Sequence, residues 1–100
     1  MRLAKVRGTV VSTVKDDSLM GVKMLLVQLI DESGGLQDEY EVAADLVGAG
    51  VGEWVLVSRG SAARQQQRYL DKPVDAAIVA IIDTVSLDSG LLYDKREDFR

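Results

Sequence analysis

The segment Arg59-Gly60-Ser61-Ala62-Ala63-Arg64 has the strongest claim to chemistry in this sequence. A strand that runs through glycine into the start of a helix presents unpaired N–H groups and the positive end of the helix dipole, which suits an anion. Ser61 and Arg64 are the residues that a weak anion site would use. The competing account is structural: Ser61 caps the helix while Arg59 and Arg64 pair with acids of this or another copy. There is no phosphate-loop pattern and no lysine in place, so the structural account is preferred. Other candidates are weaker. Gly48-Ala49-Gly50-Val51-Gly52-Glu53 lacks the third glycine of a dinucleotide fingerprint and precedes a strand rather than a helix, so it reads as a turn needing positive φ. Glu39 and Glu41 share one face of a strand, as paired carboxylates for glycoside chemistry would. With 5% aromatic residues there is no sugar platform, and a solvated strand face is the expectation. Asp16-Asp17 and Asp31-Glu32 lack the spacing of a calcium loop.

The 100 residues include no histidine and no cysteine. That removes Ser-His-Asp triads, thiolate nucleophiles, zinc sites built from nitrogen and sulfur, and disulfides. The sequence therefore predicts no catalytic residues, no cofactor and no metal. Its length fits one domain, and 47% hydrophobic with 28% charged residues is ordinary for a globular chain. The longest apolar runs, Met24–Val27 and Ala76–Ile82, fall far short of the roughly 18–20 residues that cross a bilayer. No signal-peptide pattern opens the chain. A soluble cytoplasmic protein is expected, with no membrane partner.

Positioning these residues requires strands, since the dominant period is two. Arg2 to Val14 reads as a long first strand that bends or bulges at Gly8. Met20 to Ile30 is a second, closed by the turn formers Asp31-Glu32-Ser33-Gly34-Gly35. Gln37 to Ala43 and Glu53 to Arg59 are the third and fourth, linked by a glycine-rich connection from Asp45 to Gly52. A short helix, Ala62 to about Arg68, follows the N-cap Ser61, and Asp71-Lys72-Pro73 ends it. Ala76 to Asp83 is the fifth strand. The predicted fold is mostly β: a small five-stranded barrel, OB-like in outline, with one short helix before the last strand. The barrel occupies residues 1–83, and 84–100 form a C-terminal tail.

Net charge is −4 and the pI is 4.7, which argues against nucleic acid as a partner. Charge is segregated along the chain: +3 over residues 1–30, −7 over 31–58, +3 over 59–72 and −4 over 73–94. This is either a mixed solvated surface or a pair of complementary patches through which copies attract each other. Strands two and five add weight to the second account. Both are apolar on both faces, whereas an antiparallel strand normally shows one polar face to water. Either the helix and tail cover them or a neighbouring copy does; self-association is favoured.

At Trp54-Val55-Leu56-Val57-Ser58-Arg59-Gly60-Ser61-Ala62-Ala63-Arg64 the sequence resembles the CcmL/EutN family of bacterial microcompartment vertex proteins. The likeness extends over Val6-Arg7-Gly8-Thr9-Val10, Asp38 to Asp45, Asp71 to Asp83 and Leu91-Leu92-Tyr93. It departs in Gln65-Gln66-Gln67-Arg68-Tyr69, which leaves the helix length open. The resemblance implies a five-stranded barrel assembled as a cyclic homo-pentamer. It further implies a non-catalytic role at the vertices of an icosahedral carboxysome shell, which supports carbon fixation in cyanobacteria. Hexameric carboxysome shell proteins, and internal scaffold proteins, are the implied partners. A cyclic ring joins two different surfaces of the same chain, which segregated charge would serve. Arg59, Gly60, Ser61 and Arg64 are expected to organise the corner between barrel and ring, with Asp83 as an acidic partner for one arginine. Leu91, Leu92 and Tyr93 are expected to pack on the barrel or on a neighbouring subunit. The alternative is an OB-like module binding single-stranded nucleic acid or a small anion, which would need a basic groove with aromatic platforms.

Overall fold

A computed structural model of the chain describes residues 1–60 and 74–98. Five strands close into a barrel: β1 (Arg2–Val10), β2 (Met24–Ile30), β3 (Leu36–Asp45), β4 (Trp54–Arg59) and β5 (Ala76–Ile81). Their order around the barrel is β1-β2-β3-β5-β4. All neighbours are antiparallel except β3 and β5, which run parallel through Ala44↔Ala77 and Asp45↔Ile78. The OB-like expectation is met. The helix expected over 62–68 and its stop at 71–73 lie outside the described residues, as do Ser61 and Arg64.

The core is small and aliphatic. Ala4 and Val6 from β1, Leu25, Val27 and Leu29 from β2, Ala43 from β3, Val55 and Val57 from β4, and Ile78 from β5 meet inside the barrel, all almost fully buried. Alternation along each strand selects them, because every second side chain points inward. Register shifts set the phase, one of them between Gln28 and Ile30 in the β2–β3 ladder. Arg7 has no partner, since Val6 pairs with Val27 and Gly8 with Leu26, so the expected bend falls one residue before Gly8. Val79 is skipped in the same way: Val57 pairs with Ile78 and Leu56 with Ala80. That extra residue lets Ile78 and Ile81 both pack on the core despite their odd spacing.

Several strand ends differ from the sequence expectation. β1 stops at Val10 rather than Val14, because β2 begins only at Met24 and offers no partner beyond that pair. Residues 12–15 instead bond among themselves, Ser12 Oγ to the Val14 carbonyl and Lys15 Nζ to the Ser12 carbonyl. Met20 does not begin β2; it ends a 3-10 turn, Asp17–Leu19, whose N-cap Asp16 accepts from the Ser18 amide. β3 starts one residue earlier than expected, at Leu36, and ends two residues later, at Asp45, where it meets β5. β4 begins at Trp54, with Glu53 in the preceding turn, and β5 ends at Ile81, leaving Asp83 in a bend.

Residues beyond 83 form more than a tail. β6 (Thr84–Leu87) and β7 (Gly90–Asp94) pair as an antiparallel hairpin, followed by a single helical turn, α1 (Lys95–Asp98). The hairpin lies on the outer face of the barrel. Tyr93 stacks on Trp54 with ring centroids 4.2 Å apart and planes 11° from parallel, and Ile30, Leu3, Ile82, Val85 and Leu92 complete this second cluster. Leu92 also approaches Gly34 in the β2–β3 turn; a Cβ there would stand 3.0 Å from Leu92 Cδ1, and φ is +86°. The positive φ favours glycine at position 34, and any larger residue would also have to push the Leu92 methyl aside. The apolar outer end of β2 is therefore covered by the chain itself. Among the described residues no helix is long and apolar enough to cross a membrane.

Candidate assembly surface

Arg59 follows Val55 and Val57 in the inward phase of β4, and Glu41 precedes Ala43 in the inward phase of β3. Both lie beside the short β3–β5 ladder, which pairs only Ala44 with Ala77 and Asp45 with Ile78. The two side chains meet there. Arg59 Nε donates to Glu41 Oε2 at 3.0 Å, and a terminal guanidinium nitrogen reaches Glu41 Oε1 and, at 3.4 Å, Glu39 Oε2. The hydrogen bonds to Glu41 raise the already high pKa of Arg59, with Glu39 adding to the effect. Glu39 is 52% exposed, in line with a solvated strand face, while Glu41 is 28% exposed. Glu39 and Glu41 brace the barrel mouth, and neither is arranged with the other for acid–base work.

The same phasing turns the opposite parity of β3 outward. Leu36, Tyr40 and Val42 are 46%, 52% and 47% exposed. Beside them on β2, Met24 and Leu26 are half-buried, in register with Ala44 and Val42. Outward Gln28 is buried and spends its amide on the Gln37 carbonyl. Tyr40 and Val42, with Leu26 beside them, form an apolar stripe that exposed Asp38 separates from Leu36, and an isolated antiparallel sheet does not normally show one. One end runs into a groove of about 200 Å³ lined by Leu19, Val22, Met24, Val42, Val74 and Ala76.

The loops at the barrel rim are tied down by acids that the sequence reading passed over. Asp45, its side chain wholly buried, accepts from the amides of Val47, Gly48 and Ala49 and faces Lys23 Nζ at 3.3 Å. Gly48 and Gly52 take φ of +78° and +93°, as the glycine-rich turn requires. Glu53 accepts from the Gly50 amide at 2.6 Å and from Lys95 on α1, joining loop, barrel and hairpin. Those two bonds, Lys95 first, hold the Glu53 carboxyl below the usual glutamate range and raise Lys95. Asp16 and Asp31, considered for calcium, serve turns instead. Asp31 accepts from the hydroxyl and amide of Ser33 and the amide of Gly35, which lower its pKa. Asp–x–x–Gly following a strand is the signal that would have identified Asp45.

The remaining expected residues are dispersed. Gly60 turns at φ +63° and donates its amide to the Asp75 carbonyl. Asp83 is distant from the Arg59 cluster in role: its carbonyl accepts from the Lys95 amide at the hairpin junction, and the partners of Arg59 are Glu41 and Glu39. Tyr93 is buried, Leu92 half-buried and Leu91 62% exposed. Trp54, the natural platform for a nucleic-acid base, is occupied by Tyr93. No group of three or more Asp or Glu suited to a metal occurs among the described residues.

Fold and surface together define a class: an OB-like barrel that carries exposed apolar side chains on its outer face. The family model described as ethanolamine utilisation protein EutN/carboxysome matches residues 1–83. The carboxysome shell vertex protein CcmL of Synechococcus elongatus is 64% identical over 97 residues, covering 97% of this chain and 98% of that protein. A solved carboxysome subunit, CcmL, superposes with a TM-score of 0.93 at 60% identity, covering 96% of this chain and all of the other. The GrpN pentameric microcompartment shell protein from Rhodospirillum rubrum gives a TM-score of 0.79 at 48% identity over 87% of this chain and 99% of its own. The chain belongs to the EutN/CcmL family.

Proposed function

We infer that this chain is a structural protein of the carboxysome shell, forming pentameric vertices that close an icosahedral shell around carbon-fixing enzymes. One observation carries the reading: sequence and fold agree over nearly the whole chain with proteins named as carboxysome shell vertex proteins. The geometry of a shell explains why such a protein is needed. Hexagonal tiles alone make flat sheets, and a closed polyhedron needs pentagons at its corners. The exposed stripe on β3 supports a chain that assembles, since apolar strand faces left open mark contacts. The hexameric shell proteins flanking each vertex are its partners, and scaffold proteins inside the shell meet its inner face. The reading assigns the chain no reaction; Arg59, Glu39, Glu41, Asp45 and Glu53 all spend their charge on holding the barrel and its loops.

Shell assembly tests this. Hexameric carboxysome shell proteins assembled with this chain are expected to give closed polyhedra in electron micrographs, and without it sheets or open tubes. Closed shells of equal number and shape in both samples would contradict the reading.

A further inference from the structure

Two hydrogen bonds at the end of β3 fix the direction of the backbone groups along it. Asp45 donates its amide to the Lys23 carbonyl on the β2 side, and Leu46 donates to the Ile78 carbonyl on the β5 side. Successive residues of a strand turn their N–H and C=O groups to alternate edges. Glu41 and Ala43 therefore bond to β2, opposite Val27 and Leu25, whereas Tyr40 and Val42 turn theirs the other way. On that side the ladder to β5 pairs only Ala44 with Ala77 and Asp45 with Ile78. Among the described residues nothing bonds to the backbone of Tyr40 or Val42 on this edge.

An unpaired strand edge is a template for another strand. An antiparallel segment laid on this one would bond through the residues directly opposite Tyr40 and Val42, whose side chains share the outer face. That face is apolar here, and beside Val42 the groove of about 200 Å³ also lined by Val74 and Ala76 offers room for one aliphatic side chain. The other positions are acidic. Asp38 is exposed with no ion pair among the described residues, and Glu39 with Glu41 sets two negative charges against the one positive charge of Arg59. β3 itself holds no base, and Lys5 on the same outer face belongs to β1, with β2 between.

We propose that the free edge of β3 at Tyr40 and Val42 receives an extended segment of a partner protein, with apolar residues opposite these two and bases between them and opposite Asp38. Backbone bonds supply the hold, and the acids select the sequence. Nothing in this depends on the number of subunits, and it adds to the shell reading a partner gripped as a strand.

A synthetic peptide, acetyl-Val-Lys-Val-Lys-Lys-amide, is the probe; in antiparallel register its valines lie opposite Val42 and Tyr40. Amide hydrogen exchange on the intact protein, resolved by residue, reads the edge. Without peptide, Tyr40 and Val42 are expected to exchange about ten-fold or more faster than Glu41 and Ala43. Excess peptide should slow them several-fold, while the acidic counterpart Val-Glu-Val-Glu-Glu, or the probe methylated on its valine nitrogens, should leave them unchanged. Tyr40→Pro removes the outward N–H without touching the β2 ladder, so the peptide should no longer protect Val42 while Trp54 fluorescence stays native. The methylated peptide carries the same test if that variant does not fold. Slow exchange of Tyr40 and Val42 in the peptide-free protein would show the edge already paired, by the chain itself or a neighbouring copy, and would overturn the proposal. Equal protection by the acidic peptide, or none by the basic one, would overturn it too. None of these results bears on shell closure, so the vertex reading stands or falls separately.

Discussion

Glu53 shows how a single side chain links parts of this molecule distant in sequence. It receives Lys95 from the C-terminal turn and the Gly50 amide from the rim loop, and both bonds favour its ionised form. A carboxyl whose pKa is depressed by folding stabilises the folded state fully above its unfolded value, about 4.3 for glutamate, and loses that contribution as pH falls through the folded value. Acid titration should therefore loosen the hairpin before the barrel. Below about pH 4.3 the near-ultraviolet circular dichroism of the Trp54–Tyr93 stack is expected to decline while the far-ultraviolet strand signal persists, and Glu53→Gln should show the weaker stack already at neutral pH. Coincident loss of both signals in wild type and variant would contradict this role. Little of it was legible in the sequence. Glu53 and Lys95 stand 42 positions apart, and nothing local to either announces the pair. Glu39 and Glu41 were legible as a strand face that meets water, but their shared partner Arg59 stands 20 and 18 positions on, and nothing local announces the pairing.

The hairpin of β6 and β7 is the element whose stability depends most on what it touches, since an isolated two-stranded hairpin is marginal in water. Its anchor is Tyr93, 6% exposed against Trp54. Removing a buried aromatic ring typically costs about 3–5 kcal/mol, more than the hairpin has in reserve. Tyr93→Ala is thus expected to free residues 84–98 from the barrel. Acrylamide should then quench Trp54, the sole tryptophan, several-fold more efficiently, while the five-stranded barrel still unfolds cooperatively in urea. Unchanged quenching would show that the stack does not hold the hairpin. The barrel strands and the OB-like outline were legible because apolar residues alternate along the strands, whereas the order of strands came from the structure. The hairpin was missed although its signal was present: Asp88-Ser89-Gly90 separates Val85 from Leu91 and Tyr93 as a turn former separates two short strands. Strand ends were misplaced where local bonds outcompete pairing, as at Ser12–Lys15 and Asp16–Leu19. The bulge at Val79 leaves no mark in a sequence apolar on both parities.

For the whole molecule, apolarity on both faces of β2 has two explanations that operate side by side. One end, at Ile30, is covered by the chain's own hairpin; the other, around Leu26 and Val42, is left open, as a surface available to a neighbouring copy would be. Segregated charge and a two-faced strand were visible in the sequence and pointed to self-association. The number of subunits was not, because it depends on the angle between the two joined faces, which no local pattern encodes; the family relation supplies it. Native mass spectrometry at micromolar concentration tests the central claim most directly. A single species at five times the 10.9 kDa chain mass is expected, and a monomer, or a ring of any other number, would contradict it.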